Sequence, residues 1–117
     1  MKLKDNSGNP LELEDVLEWI PPGWGKIVKS LIEDLFLLEW DGVVSQVKEK
    51  FGGLRFYVRG ASRGVYNRIK EAELQSLDTC EKCGERGLKS SWGGCWISTL
   101  CPSHGEERRL EVVASKK

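Results

Sequence analysis

Apolar residues recur at Ile27, Leu31, Leu35 and Leu38, with Val28, Ile32 and Phe36 beside them. That is helical spacing with a wide apolar stripe, and such a stripe must face a core. It predicts the main helix, ending near Trp40 with Asp41-Gly42 as the turn. The period then changes to two. Val47 and Phe51 alternate with Lys48 and Lys50; beyond them Leu54, Phe56 and Val58 face one way and Arg55, Tyr57 and Arg59 the other. With Phe51-Gly52-Gly53 between them, residues 43–50 and 54–59 are predicted to form a half-buried β-hairpin. Helical period returns at Val65, Ile69, Ala72 and Leu77, predicting a helix from Ser62 to Leu77. Upstream, residues 11–19 suit a short helix stopped by Pro21-Pro22, and the polar residues 1–10 are expected to be a flexible N-terminus. Downstream, residues 88–99 read as a second hairpin with Gly93-Gly94 at its tip, and 102–114 as a closing helix.

These elements predict an α+β fold. Residues 11–117 would form a single small domain, a helix packed on a β-hairpin, followed by a helix and a C-terminal zinc module over about 78–115. A length of 117 residues, 39% hydrophobic and 31% charged, fits one globular domain. A chain this short buries a modest share of its surface, so a metal staple would help it.

The staple is visible as Cys80-x2-Cys83, a 17-residue spacer, then Cys101-x2-His104. Thiolate and imidazole are soft or borderline ligands, and zinc takes four of them tetrahedrally. A knuckle, a hairpin and then ligands at a helix start follow the order of a treble-clef finger. Structural Zn2+ is therefore the expected cofactor, with Cys80, Cys83, Cys101 and His104 as ligands. Cys95, in the hairpin, is an alternative ligand; otherwise it reads as a small buried hydrophobe. With all four positions filled by protein, such a site cannot activate water and contributes to folding. His104 is the only histidine, so a nuclease needing a second histidine as base is disfavoured. No nucleophile elbow, phosphate loop or catalytic carboxylate pair stands out, and no catalytic residue is assigned.

Charge adds a surface. Net charge is zero, yet residues 1–41 carry four lysines against nine acids, and the remainder carries the balancing excess of Lys and Arg. Lys48, Lys50, Arg55, Tyr57 and Arg59 should share the outer face of the hairpin, where cations with an aromatic among them suit phosphates and a stacked base. The plain alternative is a solvated, edge-protecting face. Arg63, Arg68 and Lys70 extend this patch in sequence. Among five tryptophans, Trp24 in Gly23-Trp24-Gly25 is expected to be an exposed or groove-lining anchor, Trp92 near the glycine tip to be exposed, and Trp96 to pack on the zinc site.

No apolar run follows Met1-Lys2-Leu3-Lys4-Asp5-Asn6 to make a signal peptide, and no stretch approaches a membrane span. Four cysteines without an export signal favour metal over disulfides, so a cytoplasmic protein with no membrane partner is expected.

The segment Gln46-Val47-Lys48-Glu49-Lys50-Phe51-Gly52-Gly53-Leu54-Arg55-Phe56-Tyr57-Val58 resembles a family of small, mostly uncharacterised proteins of bacterial genomes, prophages and phages. The resemblance takes in Gly23-Trp24, Ala72-Glu73, Thr79-Cys80-Glu81-Lys82-Cys83-Gly84 and Trp96-Ile97-Ser98-Thr99-Leu100-Cys101-Pro102-Ser103-His104, roughly residues 20–104. It implies the ligand set ending in Leu-Cys-x-x-His, with Cys95 outside it, and an accessory role such as countering host defences or modulating a host protein. The expected function is a non-catalytic zinc-stabilised binding protein with a protein partner. The alternatives are a nucleic-acid-binding module on the basic hairpin face and a binder of a small anionic nucleotide ligand held by Arg55 and Arg59.

Overall fold

The computed structural model describes residues 2–115. It is a small α+β fold, elongated at 51 × 24 × 19 Å. Strands β1 (Leu3–Lys4) and β2 (Pro10–Leu11) precede helix α1 (Leu13–Glu18). A 3-10 turn at Pro22–Trp24 leads into α2 (Gly25–Leu37). Then follow β3 (Val44–Lys50), β4 (Gly53–Val58), α3 (Arg63–Ser76), β5 (Leu88–Ser90), β6 (Ser98–Leu100) and α4 (Pro102–Ser115). The strands pair as three separate antiparallel hairpins, β1 with β2, β3 with β4 and β5 with β6. Among the described residues no helix is long and apolar enough to cross a membrane.

The α2 stripe does what its period demands. Ile27, Val28, Leu31, Ile32 and Leu35 are all buried. They meet Val44, Val47, Leu54 and Phe56 from the inner face of the β3–β4 hairpin and Val65, Ile69 and Ala72 from α3. The α3 helix starts on Ser62, whose Oγ accepts the Val65 N–H at 3.3 Å as a side-chain cap. It also covers the free edge of β4. The Leu54 N–H donates to Ser76 Oγ at 2.8 Å, and the Phe56 N–H to Glu73 Oε2 at 3.0 Å. An edge that would otherwise be open to pairing is thus satisfied by helix side chains.

Between β3 and β4 the chain turns in two residues, with Lys50 opposite Gly53. Both turn residues have positive φ, 53° at Phe51 and 78° at Gly52. That combination matches the strand twist and favours Asn-Gly. A bulky residue in this region costs about 1–2 kcal/mol, so Phe51 sits against its own backbone preference.

Two expectations need correction. Residues 1–10 were expected to be flexible, but Leu3 is buried and β1 pairs with β2, while the Lys4 N–H donates to Gly42 O at 2.9 Å. Asp5 closes the intervening loop by accepting N–H donors from Ser7 and Asn9 at 2.8 and 2.9 Å. The main helix also stops before Trp40, because Glu39 turns to φ 63°. Trp40 then folds back into the core against Phe36 and Phe56.

Candidate metal centre

The Cys80 knuckle follows α3 directly. The backbone doubles back through Gly84, where the Gly84 N–H donates to Cys80 O at 3.0 Å and the Cys80 N–H to Glu85 O at 2.7 Å. Strand β6 carries the chain to Cys101, and α4 begins at the next residue. Its first turn returns His104 toward Cys101, and the His104 N–H lies 3.5 Å from the Cys101 sulfur. The ligand atoms of Cys80, Cys83, Cys101 and His104 all lie within 4.8 Å of one another.

The spacings fit a tetrahedral ion. Metal–sulfur bonds of about 2.3 Å and metal–nitrogen bonds of about 2.0 Å give tetrahedron edges of about 3.8 Å between sulfurs and about 3.5 Å from sulfur to nitrogen. Here Cys83 Sγ lies 3.7 Å from Cys101 Sγ, and His104 Nδ1 lies 3.5 Å from Cys80 Sγ and 3.2 Å from Cys101 Sγ. Nδ1 is therefore the ring nitrogen turned toward the Cys80 and Cys101 sulfurs.

Electrostatics favour a cation at this spot. Burial pushes the Cys80 thiol up, but backbone donors at Cys101, Cys83 and Lys82 outweigh it and bring the thiol down to about 6. Cys83 moves the other way. A backbone donor at Glu85 favours its thiolate, while desolvation and the Cys80 and Cys101 sulfurs raise its pKa above the ordinary value. The opposite shifts of Cys80 and Cys83 are those of neighbouring thiols competing for one negative charge. A divalent ion held here would supply the opposite charge that lets neighbouring thiolates coexist.

Cys95 is exposed and lies outside the cluster. It is neither a ligand nor the buried hydrophobe expected of it. The three tryptophans singled out in the sequence also change roles. Trp24, expected to be exposed, is fully buried, and its Nε1–H donates to Thr79 O at 2.9 Å. Trp92 packs against Cys80, Leu100 and Cys101, with its Nε1–H on Ser98 O at 3.2 Å. Its ring lies over Gly105, where a Cβ would collide with it. Trp96, expected to pack on the metal site, is 75% exposed. The tip turn between them carries positive φ at two residues, 50° at Trp92 and 82° at Gly93.

The centre is bolted to the rest of the fold at two places. The Gly23 N–H donates to Glu81 O at 2.6 Å, and a Cβ on Gly23 would collide with the Cys80 carbonyl. Thr99, fully buried, donates its Oγ1–H to Gly52 O at 2.7 Å. The first joins the knuckle to the start of α2; the second joins β6 to the β3–β4 turn.

On the outer face of that hairpin the register sets Lys48 directly opposite Arg55 and Gln46 opposite Tyr57, with Lys50 at the turn end. Arg59 is exposed just past β4. Of the cations expected to extend this patch, Arg68 does not: its Nε pairs with Asp34 of α2 at 2.8 Å. Among the described residues Lys48, Lys50, Arg55 and Arg59 have no carboxylate within salt-bridge distance.

No known protein family, curated protein or solved structure matches the chain.

Proposed function

We propose that the chain is a non-catalytic, zinc-stapled binding protein whose partner is a polyanion held on the outer face of the β3–β4 hairpin. The observation that carries the zinc part is closure: four protein donors surround one ion-sized spot, and three are sulfurs. That donor set suits zinc, and four protein ligands leave no position for an activated water. The order of knuckle, hairpin and helix-borne ligands supports a treble-clef arrangement. The residues that would hold the ion are Cys80, Cys83, Cys101 and His104, and the ion would supply folding energy to the module around it.

The polyanion part rests on the cation pair. Like charges directly opposite across a hairpin destabilise it, and Lys48 with Arg55 is such a pair with no acid compensating it. An anionic partner relieves that cost. An open sheet face suits a polymer better than the enclosed small anionic ligand considered for Arg55 and Arg59.

Metal analysis of the purified protein tests the first part. One zinc per chain is expected, and Cys83→Ser should lose it along with ordered structure in the C-terminal third. Unchanged zinc and thermal stability in that variant would remove Cys83 from the ligand set.

A second reading, modulation of a host protein, draws on the resemblance to proteins of mobile elements. Its expected anchors Trp24 and Trp92 are engaged inside the fold, which weakens it. Affinity capture from cells with and without nuclease separates the two readings: a stoichiometric, nuclease-resistant partner favours the second.

A further inference from the structure

Where the β3–β4 turn meets the β5–β6 loop, the surface forms a groove of about 540 Å³ lined by Glu49, Lys50, Phe51, Trp96, Ile97 and Arg108. Phe51 is 58% exposed, Trp96 75% and Ile97 38%. We propose that this groove, continuous with the hairpin's outer face, is a binding site for single-stranded nucleic acid, with Phe51 and Trp96 as the rings on which bases stack. The inference rests on the binding-protein reading and names the partner for it.

Three independent observations meet here. The first is Phe51. It occupies a positive-φ turn position that Asn or Gly would fill without strain, and its side chain remains more than half exposed. Trp92, the other aromatic with positive φ, is strained for a visible packing reason over Gly105. An unfavourable backbone position held by an exposed aromatic has no such structural return, and violations of that kind collect at functional sites.

The second is charge. Lys50 places its Nζ 5.6 Å from the Phe51 ring centre, so a cation and a stacking surface sit side by side. Arg108 stands on α4 beside Arg109; Arg109 is paired with Glu106, whereas Arg108 has no carboxylate within salt-bridge distance among the described residues. Glu49, the opposing charge, turns its carboxylate to the Gly52 N–H at 2.8 Å. From the groove the strip runs through Lys50 to the Lys48–Arg55 pair and Tyr57.

The third is the alternation itself. Three exposed rings, Tyr57, Phe51 and Trp96, are interleaved with four cations, Lys48, Arg55, Lys50 and Arg108. Cations tracking a backbone with rings taking successive bases is how single strands are bound without strong sequence preference. A duplex hides its base faces and would use only the cations.

The test uses the zinc-loaded full chain and a fluorescein-labelled dT12 strand, followed by anisotropy across a salt series. Four phosphate contacts predict a slope of log K against log salt of roughly −3. Trp96→Ala should weaken binding roughly ten- to a hundred-fold. Phe51→Asn should weaken binding while raising the unfolding midpoint, a pairing that a merely structural Phe51 would not give. Equal binding of the duplex with no loss in either variant overturns the groove. Preferential binding of poly-glutamate overturns it in favour of an acidic protein. Absence of dT12 binding by a sample holding one zinc per chain overturns the groove alone. Absence of zinc overturns the scaffold reading and the groove with it.

Discussion

The two halves of this molecule are held by different physics. The N-terminal part gathers seventeen buried apolar residues into one core, from Leu3 to Ala72. The part beyond α3 gathers three, Cys80, Leu100 and Cys101, with Trp92 laid against them. Two of those three belong to the candidate metal cluster. Hydrophobic burial at roughly 25 cal/mol per Å² can drive the first part, but three residues cannot offset the entropy of ordering almost forty. The comparison teaches that the C-terminal part has little apolar core of its own, and that the Cys80, Cys83, Cys101 and His104 cluster stands where a core would be.

The largest expected effect that sharpens this contrast is metal removal. Structural zinc contributes about 10–16 kcal/mol of apparent binding energy in small fingers. Chelation should therefore expose the amides of β5, β6 and α4 to exchange while α2, β3 and β4 stay protected. Hydrogen-exchange mass spectrometry reads both at once, and simultaneous loss of protection in α2 would break the division.

Next comes the apolar side. Leu35→Ala, at a fully buried position, should cost about 2–5 kcal/mol in denaturant unfolding and leave zinc content unchanged. Leu110→Ala on the exposed side of α4 should fall within about 0.5 kcal/mol.

Gly23→Ala attacks the junction. Its Cβ meets the Cys80 carbonyl, and such overpacking costs about 1–3 kcal/mol. Separate unfolding transitions for the two parts, seen by calorimetry, are expected; a single unshifted transition would show that their coupling does not depend on this contact. The smallest effect is Trp24→Phe, which keeps the ring and deletes the donor to Thr79 O. About 1 kcal/mol is expected from the lost hydrogen bond, measured by the shift in the urea midpoint.

The same division explains what the sequence made legible. Long periodic segments such as α2 and α3 announced themselves, because a core selects one face at each turn of a helix. The four ligands announced themselves, because chelation demands short fixed spacings. Leu3–Lys4 and Pro10–Leu11 did not, since two-residue strands carry no period. The roles of Trp92 and Trp96 were exchanged because the packing place over Gly105 is a tertiary contact that residue type and spacing do not reveal. The groove beside Phe51 was missed because it joins residues more than forty positions apart. One signal was present all the same: a Phe stands where a two-residue hairpin favours Asn.

Cys95 stands exposed in the loop beside Trp96, apart from the three sulfurs that share an ion-sized space. The chain thereby carries its own stoichiometric counter. A thiol reagent should find one fast-reacting group per metallated molecule and four once the ion is stripped. A fluorophore attached at that single thiol would sit next to Trp96 in the chain, away from the candidate metal cluster.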